Sequence, residues 1–373
     1  MIDDSSDCFV IAEIGHNHQG SLEQCKQLFM KAAECGADAV KLQKRDNRSL
    51  YTTEYYNRPY EHENSFGPTY GEHREALEFG RDEYLELQRV ADELGVVFMS
   101  TAFDVPSAEF LAEIDIAGFK MASADLTNTP LLRHVASLGK PMVISTGAAR
   151  IEEVRRAYEV VTAINDQVAF LQCTASYPPE WDQVDLRVIE TYRKEMPDAV
   201  IGFSGHDSGI TMAIAAYVLG GRIVEKHFTL NRAMKGTDHA FSLEPQGMEK
   251  LVRDLRRTRS ALGDGRKRMY QSEAAPATKM GKKLVAAREL PAGHVLDEED
   301  IAAKSPGDGL PPYEIDRLIG RRLRFPVTAE QALSFDLVED HEHARFESAA
   351  ANGTNGTNGA RAEPVGARAD DAG

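Results

Sequence analysis

Short apolar runs and amphipathic stretches alternate eight times between Phe9 and Leu262, and this rhythm restricts the possible folds more than any single motif. The runs are FVIAEIG from Phe9, DAVKLQ from Asp38, VVFMSTA from Val96, GFKMASA from Gly118, PMVISTG from Pro141, QVAFLQC from Gln167, VIGFSGH from Val200 and RIVEKHF from Arg222. Each has the length of a buried strand, and the stretches between most of them have helical spacing. In SLEQCKQLFMKAAECG, Ser21 can cap a helix, Leu22, Leu28, Ala32 and Ala33 form an apolar face, and Gly36 stops it. Eight βα units in about 250 residues predict a closed parallel barrel, an α/β fold of the TIM type. An open doubly wound sheet usually has fewer strands and carries a Gly-x-Gly-x-x-Gly turn, which is absent.

The barrel has a geometric consequence, because its chemistry is built at the C-terminal ends of the strands. The strand starts are plain Val, Ile, Phe and Ala. Glu13, Lys41, Thr101, Lys120, Ser123, Ser145, Ser204, His206, Glu225 and His227 fall at or just past the strand ends. One converging pocket accounts for that pattern. The second connection, from Lys44 to about Leu77, exceeds the usual two to six residues and carries Tyr51, Tyr55, Tyr56, Tyr60 and Tyr70. It reads as a substrate lid, with a loop packed on the rim as the plainer alternative.

Residues 1–262 thus form the catalytic barrel and 263–282 a linker. Residues 283–340 have a new short-strand pattern that reads as a small second domain, and 341–373 have too few apolar residues to offset the entropy of ordering. The net charge of −16 argues against nucleic acid or anionic membrane as general partners, so any phosphate must be held locally. No apolar run reaches the length of a membrane span. The acidic N-terminus lacks a secretory pattern, so a cytoplasmic location is expected. Cys8, Cys25, Cys35 and Cys173 show no Cys-x-x-Cys spacing and are expected as reduced thiols.

Three groups of residues can do chemistry. His206 in FSGHD and His227 in EKHFT end adjacent strands, which suits a divalent metal with open positions, although either could be a hydrogen-bonded core histidine. Lys41 and Lys120 sit in otherwise apolar strands, where a buried lysine needs an anionic partner. With Thr101, Ser123, Ser145 and Ser204 they would form a cradle for a phosphate and a carboxylate; internal Lys–Glu pairs and a Schiff-base lysine are the rival roles. Glu13 and Glu225 are strand carboxylates able to move protons or bind hydroxyls. His16 and His18 in GHNHQG are either a metal hint or a turn that shapes the rim.

AEIGHNHQGS, DAVKLQ, FMSTAFD, FKMASADLTN, ISTGAA, FLQCTASYP, GFSGHDSG and EKHFTLNRAMKGTDHAFSLEP, in this order, resemble the sialic acid synthase family over about residues 8–340. LVAARELPAGHVLDEEDIAAKSPGDG looks like the antifreeze-like (SAF) domain of those enzymes. The resemblance implies condensation of phosphoenolpyruvate with a hexosamine-like aldose to give a 2-keto-3-deoxy acid and phosphate. It implies a divalent metal on His206 and His227, commonly Mn2+, with Mg2+ or Co2+ as alternatives. Lys41, Thr101, Lys120, Ser123, Ser145 and Ser204 match the phosphoenolpyruvate positions, Glu13 the essential acid, and Gln43, Tyr177, Glu225 and Asp238 groups near the sugar. It also implies a domain-swapped homodimer, in which the SAF domain covers the partner's site and often supplies an arginine from Lys-Arg-Pro-Gly. Ser305 stands at that arginine's place, and Ala175 and Ser176 stand where an asparagine is common. These departures point to an acceptor other than N-acetylmannosamine, such as a legionaminic- or pseudaminic-type precursor. A synthase of 3-deoxy-octulosonate or heptulosonate phosphate would need further basic residues at the rim for a second phosphate, and a class II aldolase would release no phosphate.

Overall fold

A computed structural model of the chain describes residue 2 and residues 6–339. It divides into two compact units, Met1–Gly265 and one that begins at Arg266. In the first, eight strands close in sequence order into an all-parallel barrel: β1 (Phe9–Gly15), β2 (Ala39–Lys44), β3 (Val97–Ala102), β4 (Phe119–Met121), β5 (Met142–Ser145), β6 (Val168–Cys173), β7 (Val200–Gly205) and β8 (Ile223–His227). Closure is made by β8 on β1, with Phe9 opposite Ile223 and Glu13 opposite His227. Every apolar run in the sequence became a strand.

The period of two along each strand sorts the side chains. Val10, Ala12, Ile14, Val40 and Leu42 belong to the core under the helices, whereas Ile11, Ala39, Met99, Val143, Ala169, Leu171 and Ile223 form a separate apolar cluster in the barrel. Two residues further along, that second set becomes polar: Ile11 leads to Glu13, Ala39 to Lys41, Met99 to Thr101, Val143 to Ser145, and Ile223 to Glu225 and His227. An apolar floor and a polar mouth therefore follow from one alternation. The first helix, α1 (Leu22–Glu34), is capped by Ser21 Oγ, which accepts from Gln24 N, and Gly36 follows it at φ +83°. Its buried face is Cys25, Leu28, Phe29 and Ala32, an i, i+3, i+4, i+7 set. Leu22 and Ala33, expected on that face, are only partly buried because they flank this stripe.

The second unit holds an antiparallel pair, β9 (Lys283–Ala286) with β10 (Ile301–Lys304), over a small core that includes Leu284, Leu290, Leu296, Leu323, Leu333 and Val338. Asp300 is fully buried there and accepts from Arg288 at 2.7 Å and His294 at 2.5 Å. The stretch expected as a linker carries a helix at Ala274–Met280, and Thr278 O accepts from Gly307 N at 2.7 Å, so its end belongs to this unit. The expectation for 341–373 lies outside the described residues. Among those described, no helix is long and apolar enough to cross a membrane.

Candidate active site

The polar mouth is a connected set of buried charges. Lys41 Nζ lies 2.6 Å from Glu13 Oε2 and donates to Thr101 Oγ1 at 2.9 Å. Gln43 Nε2 donates to the other Glu13 oxygen at 2.7 Å. Lys120 Nζ donates to Ser145 Oγ at 2.6 Å and to Met121 O at 2.8 Å. Glu225 accepts from Ser204 Oγ at 3.1 Å, with Lys41 at 3.9 Å and Lys120 at 4.0 Å. Lys41 thus forms the internal ion pair that the sequence left open, whereas the only carboxylate in ion-pair range of Lys120 among the described residues is Glu225, at the longer distance of 4.0 Å.

These environments divide the two glutamates. Burial, which outweighs the attraction of Lys41, raises the Glu13 pKa, and Glu225 adds to the rise. Burial acts in the same direction on Glu225, but Lys120, Lys41 and His227 together hold it below its usual range. Burial also lowers the Lys120 pKa. A proton is therefore easier to keep on Glu13 than on Glu225. Ser123, in the turn after β4, accepts from Gly147 N at 2.9 Å and donates toward Cys173 Sγ at 3.6 Å.

The two histidine rings lie 5.4 Å apart between centroids. Burial pushes each pKa down to about 4, so both are neutral near pH 7 and each keeps a lone pair. His206 Nδ1 donates to Thr174 O at 3.0 Å, which leaves its Nε2 as the metal-ready nitrogen. His227 Nδ1 has no hydrogen-bond partner and lies 3.7 Å from Asp238. This donor set fits a divalent cation held by two nitrogens, although no group of three or more His, Cys, Asp or Glu gathers around one point among the described residues. Tyr177 and Phe241 wall the pair, at 4.2 Å from His206 and 4.8 Å from His227. Phe241 escaped the sequence reading, for an aromatic residue in a long loop carries no spacing signal.

Behind the histidines, Lys226 Nζ donates to Asp207 O at 2.6 Å and to Asp207 Oδ1 at 2.9 Å, fully buried. This latch joins the residue after His206 to the residue before His227. Lys226→Met should lower stability by about 3–5 kcal/mol because it strands a buried carboxylate, and Lys226→Met with Asp207→Leu should recover most of the loss. Urea unfolding checks both; a neutral single substitution would remove the latch from the account.

The long β2–β3 connection folds into α2 (Asn47–Leu50), α3 (Thr53–Tyr56) and α4 (Tyr70–Glu75) before α5 (Arg81–Leu94). Tyr51, Tyr55, Tyr60 and Tyr70 pack on one another, while Tyr56 is buried with the Arg48 guanidinium 3.7 Å from its ring. Asn64 accepts from Gly236 N at 2.9 Å, so the connection crosses to the loop after β8. His18 accepts from Gly20 N and stacks on Phe79, which makes it a turn residue and not a ligand.

A (β/α)8 barrel whose rim gathers two lysines, four hydroxyls, two carboxylates and two imidazoles has the equipment of an enzyme acting on an anionic substrate. The NeuB family model matches residues 28–267 and the SAF domain model residues 283–339. The chain belongs to the NeuB family. It is 41% identical over 335 residues to N-acetylneuraminate-9-phosphate synthase of Homo sapiens, covering 90% of this chain and 93% of that one. It is 34% identical over 341 residues to N,N'-diacetyllegionaminic acid synthase of Legionella pneumophila, covering 90% and 96%. The solved N-acetylneuraminic acid (sialic acid) synthetase of Leptospira borgpetersenii, in complex with citrate, matches with a TM-score of 0.64 at 30% identity over 73% of this chain and 90% of that one.

Proposed function

We propose that this protein condenses phosphoenolpyruvate with an open-chain aldose to give a 2-keto-3-deoxy sugar acid. The observation that carries this reading is Lys120, a buried cation with close hydroxyl and carbonyl partners whose nearest carboxylate, Glu225, is 4.0 Å away and held also by Lys41 and Ser204. A cation so weakly paired gains most when a further anion arrives. Lys120 and Ser145 on one side, and Lys41 and Thr101 on the other, would hold the phosphate and carboxylate of phosphoenolpyruvate, with Ser123 and Ser204 closing the cradle. A divalent cation on His206 and His227 would polarise the sugar aldehyde. Gln43, Tyr177, Glu225 and Asp238 would bind the sugar. The new bond joins C3 of phosphoenolpyruvate to the aldehyde carbon, whose oxygen takes a proton. Water adds at C2, and the C2–O bond to phosphate breaks as the C2 hydroxyl loses its proton and the ketone forms. Glu13, with its raised pKa, is suited to carry protons at that centre.

The relatives named above make N-acetylneuraminate-9-phosphate and N,N'-diacetyllegionaminic acid, and their names support a nonulosonic acid as product. They do not favour octulosonate or heptulosonate chemistry, nor an aldolase. Metal-loaded protein should release phosphate from phosphoenolpyruvate only when an accepted aldose is present, with product mass equal to that of the sugar acid. Phosphate release without sugar, or none across free and phosphorylated hexoses and 2,4-diacetamido sugars, would overturn the reading.

A further inference from the structure

The loop after β8 carries Asp238 and is held differently at its base and at its tip. At the base the backbone closes it: Leu243 N donates to His227 O at 2.7 Å, and Thr229 N donates to Leu243 O at 2.9 Å. Between these points, among the described residues, the only regular element is a short 3-10 turn, His239–Phe241, so no ladder fixes the tip at residues 235–238. Side chains from two other rim elements do so. Gln19, in the turn after β1, donates to Lys235 O at 2.5 Å, and Asn64, in the β2–β3 connection, accepts from Gly236 N at 2.9 Å. Lys235 Nζ also sits 4.7 Å from the centroid of the Phe66 ring on the same connection.

Asp238 hangs from this tip. Its Oδ1 accepts from Thr237 Oγ1 at 2.8 Å, its backbone carbonyl accepts from Ser242 Oγ at 2.6 Å, and its Oδ2 lies 3.7 Å from His227 Nδ1. Ser242 is in turn held by the buried Asn17, whose Nδ2 donates to it at 3.0 Å and to Phe228 O at 2.8 Å. The C-terminal side of Asp238 is therefore tied to the barrel, and its N-terminal side to the β1 turn and the connection. Gly236 is where the chain bends between them: its φ is +143°, and a Cβ there would come within 2.8 Å of the His239 ring. A second cation draws on the carboxylate. Arg74, on α4 of the connection, lies 3.1 Å from His16, whose other nitrogen meets Arg45 at 3.1 Å, and Arg74 is also attracted by Asp238. Asp238 thus interacts with an imidazole and with a guanidinium, and the angle of the tip sets the balance.

Of the contacts at the tip, the one from Asn64 lies nearest to Asp238 in the chain and comes from the element that crosses the rim. Asn64 is only half-buried, and its oxygen takes a backbone N–H two residues ahead of the carboxylate. We infer that Asn64 is a positioning residue which, by holding Gly236, sets the Asp238 carboxylate against His227. On the two-histidine reading, on which this consequence rests, the tyrosine-rich connection thereby governs how tightly the imidazole pair holds a divalent cation. The role requires an acceptor oxygen and nothing more. Aspartate supplies one and alanine does not. The expected size is that of a single hydrogen bond to a backbone amide, about three- to tenfold in affinity.

Equilibrium dialysis against Mn2+, read by elemental analysis, compares the native chain with Asn64→Ala, Asn64→Asp, Asp238→Asn and the double variant of Asn64→Ala with Asp238→Asn. Asn64→Ala should weaken affinity about three- to tenfold at an unchanged melting temperature, and Asn64→Asp should restore most of it. The double variant should bind no more weakly than Asp238→Asn alone, because the contact acts through that carboxylate. Native affinity in Asn64→Ala, an equal loss in Asn64→Asp, or losses that add in the double variant would overturn the inference. The Lys235–Gly236 bond gives a readout without the cation. Its N–H is the one that Asn64 holds, and Lys235 is exposed, so tryptic cleavage there follows the opening of the contact. In chains stripped of metal, Asn64→Ala should speed that cleavage by about threefold or more. If the native chain retains no Mn2+, the two-histidine reading fails and cleavage alone decides: a faster cut in Asn64→Ala upholds the positioning role, and equal rates overturn it.

Discussion

Lys120→Met should lower kcat/KM for phosphoenolpyruvate by about 10²- to 10³-fold while leaving the melting temperature of the ligand-free protein unchanged or higher. The two effects have one cause. Lys120 is buried, its nearest partners are Ser145 Oγ and Met121 O, and Glu225 is 4.0 Å away. Its pKa is lowered chiefly by burial, with Lys41 adding to the fall, and this outweighs Glu225, which favours the charge. A methionine fills similar space without that charge, and replacing a poorly paired buried ion by an apolar residue is often neutral or stabilising. The linkage sign agrees: the folded-state pKa lies below the usual 10.5, so stability should rise with pH between the folded value and 10.5, and the variant should lose that slope. Phosphoenolpyruvate should raise the melting temperature of the native protein and not that of the variant. Lys41→Met is the contrast. It breaks a 2.6 Å pair with Glu13 and should destabilise by about 3–5 kcal/mol. Thermal melts of both variants, with and without phosphoenolpyruvate, check the assignment. A large loss of stability in Lys120→Met would make Lys120 a structural ion and remove the main support for the anion cradle.

The barrel was legible because strand alternation is a local property. Ile11 to Glu13, or Ala39 to Lys41, already shows apolar floor and polar mouth within three residues, and the structure places each at one end of the barrel. The lysines, hydroxyls and histidines stand out in the sequence for the same reason, since each falls at or just past a strand end. The sequence does not show how the two lysines differ, because the 2.6 Å contact of Lys41 with Glu13 and the longer 4.0 Å approach of Lys120 to Glu225 depend on barrel curvature. Nor could it show Arg45 and Arg74. They are separated by a connection of no regular period, and only the folded turns of that connection bring both to His16. The sequence presents His16 only as half of a His-x-His pair. Its partner His18 turned away to stack on Phe79. A long loop rich in tyrosine signals that something is covered, without saying which charges it carries to the rim.

His206→Ala and His227→Ala should each abolish retention of a divalent cation and reduce turnover by two to three orders of magnitude. Lewis-acid stabilisation contributes several kcal/mol, and each 1.4 kcal/mol is about tenfold in rate. Metal content of the purified chains, read by elemental analysis, tests binding apart from activity. In the native protein, chelation followed by readdition of Mn2+ should restore turnover; in either variant it should not. Two neutral imidazoles alone would bring no negative charge to a doubly charged ion, and Lys41 and Lys226 both oppose positive charge at His227. Asp238 and Glu225 supply the balance, since both favour positive charge on that ring. Asp238 lies 3.7 Å from His227 Nδ1, close enough to orient the ring. Asp238→Asn keeps the shape and removes the charge, and should weaken metal affinity about 10- to 100-fold. If His206→Ala keeps its metal, or if Asp238→Asn binds as tightly as the native chain, the ion is held elsewhere and the two-histidine site fails. If affinity falls in the order native, Asp238→Asn, single histidine variants, the cation rests on the two imidazoles with Asp238 supporting His227 from behind.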